Sequence, residues 1–262
     1  MARFLLLAVV VAGGLCPSLG QSASDEMRAG VEAYKLALYD QAIVYFQKAA
    51  EMEPTLVIAH LYLAYAHAQE YIPGAESPSN LLRAERAIRE FKLVLTQQPS
   101  IEQRVQSLQG LASLQYNMKQ FDAARETYEE LLKYDAENSE TYYSLAVIGW
   151  TQTYTPRMEL RASMHLKPTD EITTVSACAL LRSMNQKKVE DGIQKLQKAL
   201  ELRCDYDDAM AYMNLLYREK AEYECDEPEQ RAADLKTADE WVDRTIATKN
   251  AKAEKAAANS SQ

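Results

Sequence analysis

The sequence predicts an all-α protein built of antiparallel helix-turn-helix repeats stacked side by side as an α-solenoid. Two observations carry that expectation. Glycine and proline number only eight each in 262 residues, while 47% of residues are hydrophobic and 26% charged. A chain poor in both helix breakers yet able to fill a core is a helical one. The same order of small, aromatic and proline residues also returns at a fixed interval, and a period of roughly 20–50 residues marks a repeat array.

Residues 1–20 stand apart. Arg3 supplies a short positive region, Phe4 to Leu15 is an apolar stretch, and Ser18-Leu19-Gly20 places small residues at the two recognition positions of a signal-peptidase site. This is the pattern of a secretory signal, shorter than the about 20 apolar residues a membrane-spanning helix needs. Cleavage after Gly20 and export to the periplasm or out of the cell are expected, with an uncleaved anchor as the alternative. Lipid anchoring at Cys16 is disfavoured, because bulky Leu15 fills the slot that should be small. Removing residues 1–20 takes away only Arg3 and leaves 28 basic against 38 acidic residues. An acidic chain gains nothing from counterion release on a polyphosphate, so neither nucleic acid nor an anionic membrane surface is an expected partner.

Residues 23–56 form the clearest unit. Ala42, Phe46 and Ala49 fall at i, i+4 and i+7, one stripe of a helix, and Pro54 stops it. Gly30, twelve residues earlier, is the matching small residue on the preceding helix. In residues 57–101 the stripe returns as Ala87-Ile88-x-x-Phe91 ending at Pro99, and in residues 105–138 as Phe121-x-x-Ala124-x-x-x-Tyr128. Gly30 to Ala64 and Ala112 to Ala146 are each 34 residues apart, and a Leu-small pair recurs at Leu63-Ala64, Leu111-Ala112 and Leu145-Ala146.

These landmarks resemble the tetratricopeptide repeat, with its small residue, Ala-x-x-x-aromatic stripe and closing proline. The resemblance implies a right-handed superhelix whose first helices line a concave groove for peptides or partner helices. Glu26, Ala29 and Ala33 depart from the family pattern, so the first unit matches best in its second helix. In the second unit eleven extra residues separate the landmarks, around Tyr71-Ile-Pro73-Gly74-Ala-Glu-Ser77-Pro78, and predict an irregular loop. Such a loop is either a tolerated insertion or a functional element.

Residues 139–184 degrade. Trp150 ends a good first helix, Pro156 and Pro168 bracket a short helical segment, and residues 173–184 read as another first helix. Residues 185–249 recover the pattern: Gly192-x-x-x-Leu196-x-x-Ala199, then a long helix over residues 207–224, then a capping helix opened by Pro228. About five to six hairpins are expected over residues 23–249, followed by a fraying tail at 250–262.

No catalytic pattern stands out. The chain has no Gly-rich phosphate loop, Cys-x-x-Cys or His-Glu-x-x-His motif, and no cofactor or metal is expected. His60 and His67 lie two turns apart on one helix, about 10 Å by helical rise, too far to share a metal and read as satisfied or surface histidines. Cys204 and Cys225 flank a straight helix that holds them roughly 27 Å apart, which excludes their pairing. Cys178 with Cys204 is admitted across a hairpin, and free thiols are the default.

The slots left over by the packing stripes place Tyr34, Tyr65, Tyr116, Asn117, Tyr143 and Trp150 on the groove face. Aromatic residues bring large contact area at modest entropy cost and anchor interfaces, although each could instead pack on its neighbouring hairpin. Met27 and Val31 occupy positions that carry charge in the family members that clamp carboxyl-terminal tails, so the groove suits an apolar or extended segment better. The expected function is a non-catalytic protein–protein interaction scaffold taking a protein or peptide ligand. A helical cell-wall glycan hydrolase or an envelope-assembly lipoprotein is the alternative.

Overall fold

The computed structural model describes residues 22–167 and 170–260. The expected signal segment, Cys16 and Pro168 lie outside the described residues. Within them the chain is helical and forms five antiparallel hairpins: α1 (Ala23–Lys35) with α2 (Tyr39–Met52), α3 (Val57–Gln69) with α4 (Pro78–Thr96), α5 (Ile101–Asn117) with α6 (Phe121–Leu131), α7 (Ser139–Ser163) with α8 (Val175–Leu202), and α9 (Asp207–Tyr223) with α10 (Pro228–Ser260). Each second helix packs on the first helix of the next hairpin, which makes a solenoid.

Helix starts follow local chemistry. Ser22 caps α1 through the Asp25 amide, Ser100 caps α5 through Gln103, and both complete a capping box; Ser77 and Asn138 cap α4 and α7. Three of the five first helices, α1, α5 and α7, end alike. Ala37, Lys119 and His165 adopt φ of 56°, 59° and 58°. After them the amides of Leu38, Gln120 and Leu166 reach back to the carbonyls of Ala33, Gln115 and Arg161. This is the left-handed helix stop that glycine usually supplies.

Neighbouring helices, within a hairpin and between hairpins, close by setting large side chains on helix positions with little or no side chain. Phe46 is fully buried, and a Cβ added at Gly30 would stand 2.5 Å from its ring. Phe91 sits the same way on Gly110 of the following hairpin, where a Cβ would come within 2.4 Å of the ring. At Gly192 the neighbours are the Leu216 side chain at 2.9 Å and the Ala146 carbonyl at 3.8 Å. Phe46 stacks on Tyr62 at 5.3 Å and so joins the first hairpin to the second, while Phe91 meets Tyr65 of its own hairpin edge-on at 5.1 Å.

The second hairpin absorbs its insertion in two ways. Six of the eleven residues extend the start of α4 and five lengthen the loop before it. Asn80, buried, holds that loop by accepting from the Ile72 amide at 2.8 Å and donating to the carbonyls of Ile72 at 2.9 Å and Ala75 at 2.7 Å. The loop is therefore ordered against the solenoid.

The fourth hairpin corrects three expectations. Helix α7 does not stop near Trp150 but runs through Pro156 to Ser163, and residues 175–184 are not a separate first helix but the opening turns of the single 28-residue helix α8. Pro156 has no amide to give the Gln152 carbonyl, and next to that site Asn185 Nδ2 donates to the Thr153 carbonyl at 3.1 Å. The longer arms pack on α9, where Arg157 forks onto buried Glu219 at 2.9–3.0 Å, and Arg161, 2% exposed, reaches Glu222 at 3.2 Å and the Lys167 carbonyl at 2.6 Å. The third correction concerns the thiols. Cys178 is disulfide-bonded to Cys225, with Cα atoms 5.7 Å apart, and Cys204 is exposed and free. The length of α8 carries Cys178 beside the far end of α9, which a hairpin of ordinary length would not reach. The expected frayed tail is likewise helical, since α10 continues to Ser260.

A charged tie joins α3 to α4. His60 Nδ1 lies 2.8 Å from Glu90 and Nε2 lies 3.1 Å from the Pro54 carbonyl. Both partners accept, so the form of the ring this pair of contacts favours is the protonated one, which donates from both nitrogens. The bond to Glu90 is the main cause that raises its pKa above the ordinary 6.5. Its neighbour His67 goes the other way, held down to about 4 first by burial and then by Arg86.

Three measurements follow from this packing. Phe46→Ala should cost about 3–5 kcal/mol in chemical unfolding, and Gly110→Ala should destabilise by about 1–3 kcal/mol through overpacking, against its gain in helix propensity. Loss of the bond in Cys178→Ser, which closes a loop of 47 residues, should cost up to about 4 kcal/mol by denaturant titration. The stabilisation given by His60 should be complete below pH 6.5 and fade as pH rises through its raised folded value, whereas that of His67 should be present above pH 6.5 and fade as pH falls toward 4. Unfolding of His60→Gln and His67→Gln across pH 4–9 separates the two signs.

Candidate functional site

The first helices α1, α3 and α5 pack in succession, as do α7 and α9, but α5 and α7 diverge. On their concave side lie two cavities of about 640 and 460 Å³ that share Tyr65 and so form one groove. The larger lies between α3, α5 and α7, and the inserted loop closes its side with Tyr71 and Pro73. The smaller runs from Tyr34 past Tyr62 to Gln103 and Gln106.

The structure distributes the six sequence-predicted residues over three places. Tyr34 lines the smaller cavity, edge-on to Tyr39 at 5.3 Å and Tyr62 at 6.3 Å. Tyr65 stands between the cavities with its hydroxyl donating to the Gln106 carbonyl at 2.7 Å, and burial pushes its pKa up to about 12. Its contact is thus partly structural. Asn117 lines the larger cavity and is exposed, while its carbonyl receives the Tyr71 hydroxyl at 3.5 Å.

Tyr143 and Trp150 meet on α7 through a residue not singled out from sequence, Tyr212 of α9, with ring centroids 5.4 and 5.6 Å away. Burial is the main cause raising the pKa of Tyr143 and Tyr212, and neighbouring Tyr116 adds to both. Tyr116 itself packs on Phe121 at 5.7 Å. Tyr143, Trp150 and Tyr212 form an aromatic wall, and neither they nor Tyr116 line either cavity. Tyr206 extends it at 5.1 Å from Tyr143, with its hydroxyl donating to Glu140.

The groove is less purely aromatic than its sequence pattern suggests. Gln109, Ser113 and Asn117 run i, i+4, i+8 along α5 into the larger cavity, exposed, with no side-chain hydrogen-bond partner among the described residues. Four helical residues rise about 6 Å, close to the two-residue repeat of about 6.6 Å in an extended chain. Such a row is spaced to meet successive backbone groups of an extended segment. Sequence reasoning found Asn117 but not the row, although its i, i+4 spacing was available. Glu140 supplies the cavity's carboxylate and is held by Arg203 at 2.8 Å as well as by Tyr206. The buried carboxyls with raised pKa, Glu219 and Glu224, line neither cavity. No helix among the described residues is long and apolar enough to cross a membrane.

Comparison with known proteins agrees with this geometry. Residues 107–138, which include α6 and most of α5, match the tetratricopeptide repeat family model. No curated protein matches the sequence. Among solved structures, a MamA protein aligns at TM-score 0.58 with 14% identity, covering 90% of this chain and 96% of its own. The MamA fragment 41-end from Desulfovibrio magneticus RS-1 aligns at 0.58 with 15% identity, covering 89% and 98%. YrrB, described as a TPR protein with an unusual peptide-binding site, aligns at 0.54 with 11% identity, covering 88% and 92%.

Proposed function

The chain carries a tetratricopeptide repeat and has the tetratricopeptide-repeat solenoid fold, and from that premise we propose that it is a non-catalytic scaffold that holds an extended segment of a partner protein in its concave groove. The observation that carries the reading is the row Gln109, Ser113, Asn117, unpaired and lining a cavity of about 640 Å³ beside tyrosine rings. Side-chain amides both donate and accept, as peptide groups do. Rings along the same groove supply the apolar contact that main-chain bonds lack. The peptide-binding site described for YrrB supports the same use of this fold.

The proposal includes the compartment. The Cys178–Cys225 bond supports an oxidising one outside the cytoplasm, in line with the signal-like residues 1–20.

Peptides selected for binding from a displayed random library test the groove. Gln109→Ala with Asn117→Ala removes two exposed side chains without touching the core and should weaken selected peptides about tenfold or more. Equal affinity for the double variant and the parent would remove the groove assignment. Thiol titration of the protein isolated from its native cell tests the compartment: one reactive cysteine among residues 21–262 is expected, and three would contradict it.

A further inference from the structure

Helix α3 has two functional-looking faces. At 100° per residue, Ile58, Leu61, Tyr62 and Tyr65 face the groove, while His60, Leu63 and His67 point the opposite way. On that opposite side a third cavity, of about 390 Å³, opens between α2 and α4. Its walls are Gln47, Ala50 and Glu51 of α2, the two histidines with Leu63, and Arg86, Arg89 and Glu90 of α4.

The charges around this cavity do not cancel locally. Glu90 is engaged by His60, and Glu51 receives Gln47 Nε2 at 3.0 Å. Arg83, one turn before Arg86, is engaged by Glu70 at 3.2 Å. Arg86 and Arg89, one turn apart and facing the cavity, have neither an ion pair nor a hydrogen bond among the described residues. At the floor His67 is 6% exposed and its Nδ1 has no partner. A buried polar side chain without a partner costs stability, and one beside a cavity with two free guanidinium groups is a site whose missing component is an acceptor.

We propose that this cavity, on the side of α3 away from the groove, binds a small oxyanion through Arg86, Arg89 and His67. Guanidinium groups are planar forks that match carboxylate and phosphoryl oxygens two at a time, and Gln47 adds an amide at the edge. A cation is disfavoured there, since the two unpaired arginines outnumber Glu51, the one carboxylate of the cavity that His60 does not engage. The ligand chemistry is thus an oxyanion, carried either by a phosphoryl group or by a carboxylate. This site is independent of the groove reading, because no residue lines both.

The test is titration of the full mature protein at pH 7 and constant ionic strength with inorganic phosphate, with glutarate and with chloride, followed by the ring resonances of His67. A saturable shift with phosphate or glutarate, absent with chloride, is expected. The anion that binds more tightly identifies the source. Arg86→Gln with Arg89→Gln changes two exposed side chains, so the fold is retained, and should weaken the response about tenfold or more. A shift that never saturates, one equally strong with chloride, or one unchanged in the double variant would overturn the site. His67→Gln, read by calorimetry with the same anions, checks that the loss does not depend on the reporter.

Discussion

Everything in this solenoid rests on how closely two helices can approach where one of them carries almost no side chain. Phe46 fills the space left by Gly30, and Phe91 fills that left by Gly110. A ring seated on bare backbone brings helix axes together and fixes their relative position along the axis, because only that position receives it. Gly192 repeats the device with Leu216 in place of a ring. Since Phe46 also stacks on Tyr62 of the next hairpin and Phe91 meets Tyr65 of its own edge-on, the contacts that join the helices also position groove residues. Core and binding face are therefore not separable layers here.

The groove owes its depth to two irregularities of an otherwise periodic stack. The inserted loop of the second hairpin, pinned by Asn80, raises a wall carrying Tyr71 and Pro73. The divergence of α5 from α7 opens the floor. A perfectly regular array would pack first helix on first helix throughout and leave a shallower surface. The lengthened fourth hairpin is held differently. Its arms extend past the small-residue contacts, so they are fastened to α9 and to the turn that follows it by buried or half-buried arginines and one disulfide. Polar ties of that kind stabilise little when weighed against hydrophobic packing, but they specify one arrangement.

Which side chains share a helix face was legible in the sequence. Tyr143 and Trp150 fall on one wall because seven residues bring a helix back to nearly the same face, which spacing alone reveals. Their partner Tyr212 lies on another hairpin more than sixty residues away, and spacing carries no information about which helix arrives there. Cys178 and Cys225 were opaque for the same reason, since their meeting depends on where a long helix ends. Pro156 misled because proline is read as a helix stop, whereas a helix packed along its length can carry one and bend.

What the sequence by itself determined is the repeated unit: helical composition, the 34-residue interval, and the small and aromatic positions that close each hairpin. These are local, set by residues within a few turns of each other and by excluded volume at a helix contact. What only the tertiary structure decided is everything that depends on the stack: the ordered insertion against the groove, the fourth hairpin's length, the disulfide, and the cavity behind His67. Those features arise where one unit departs from the period, and a departure acquires its meaning only from the neighbour it then touches.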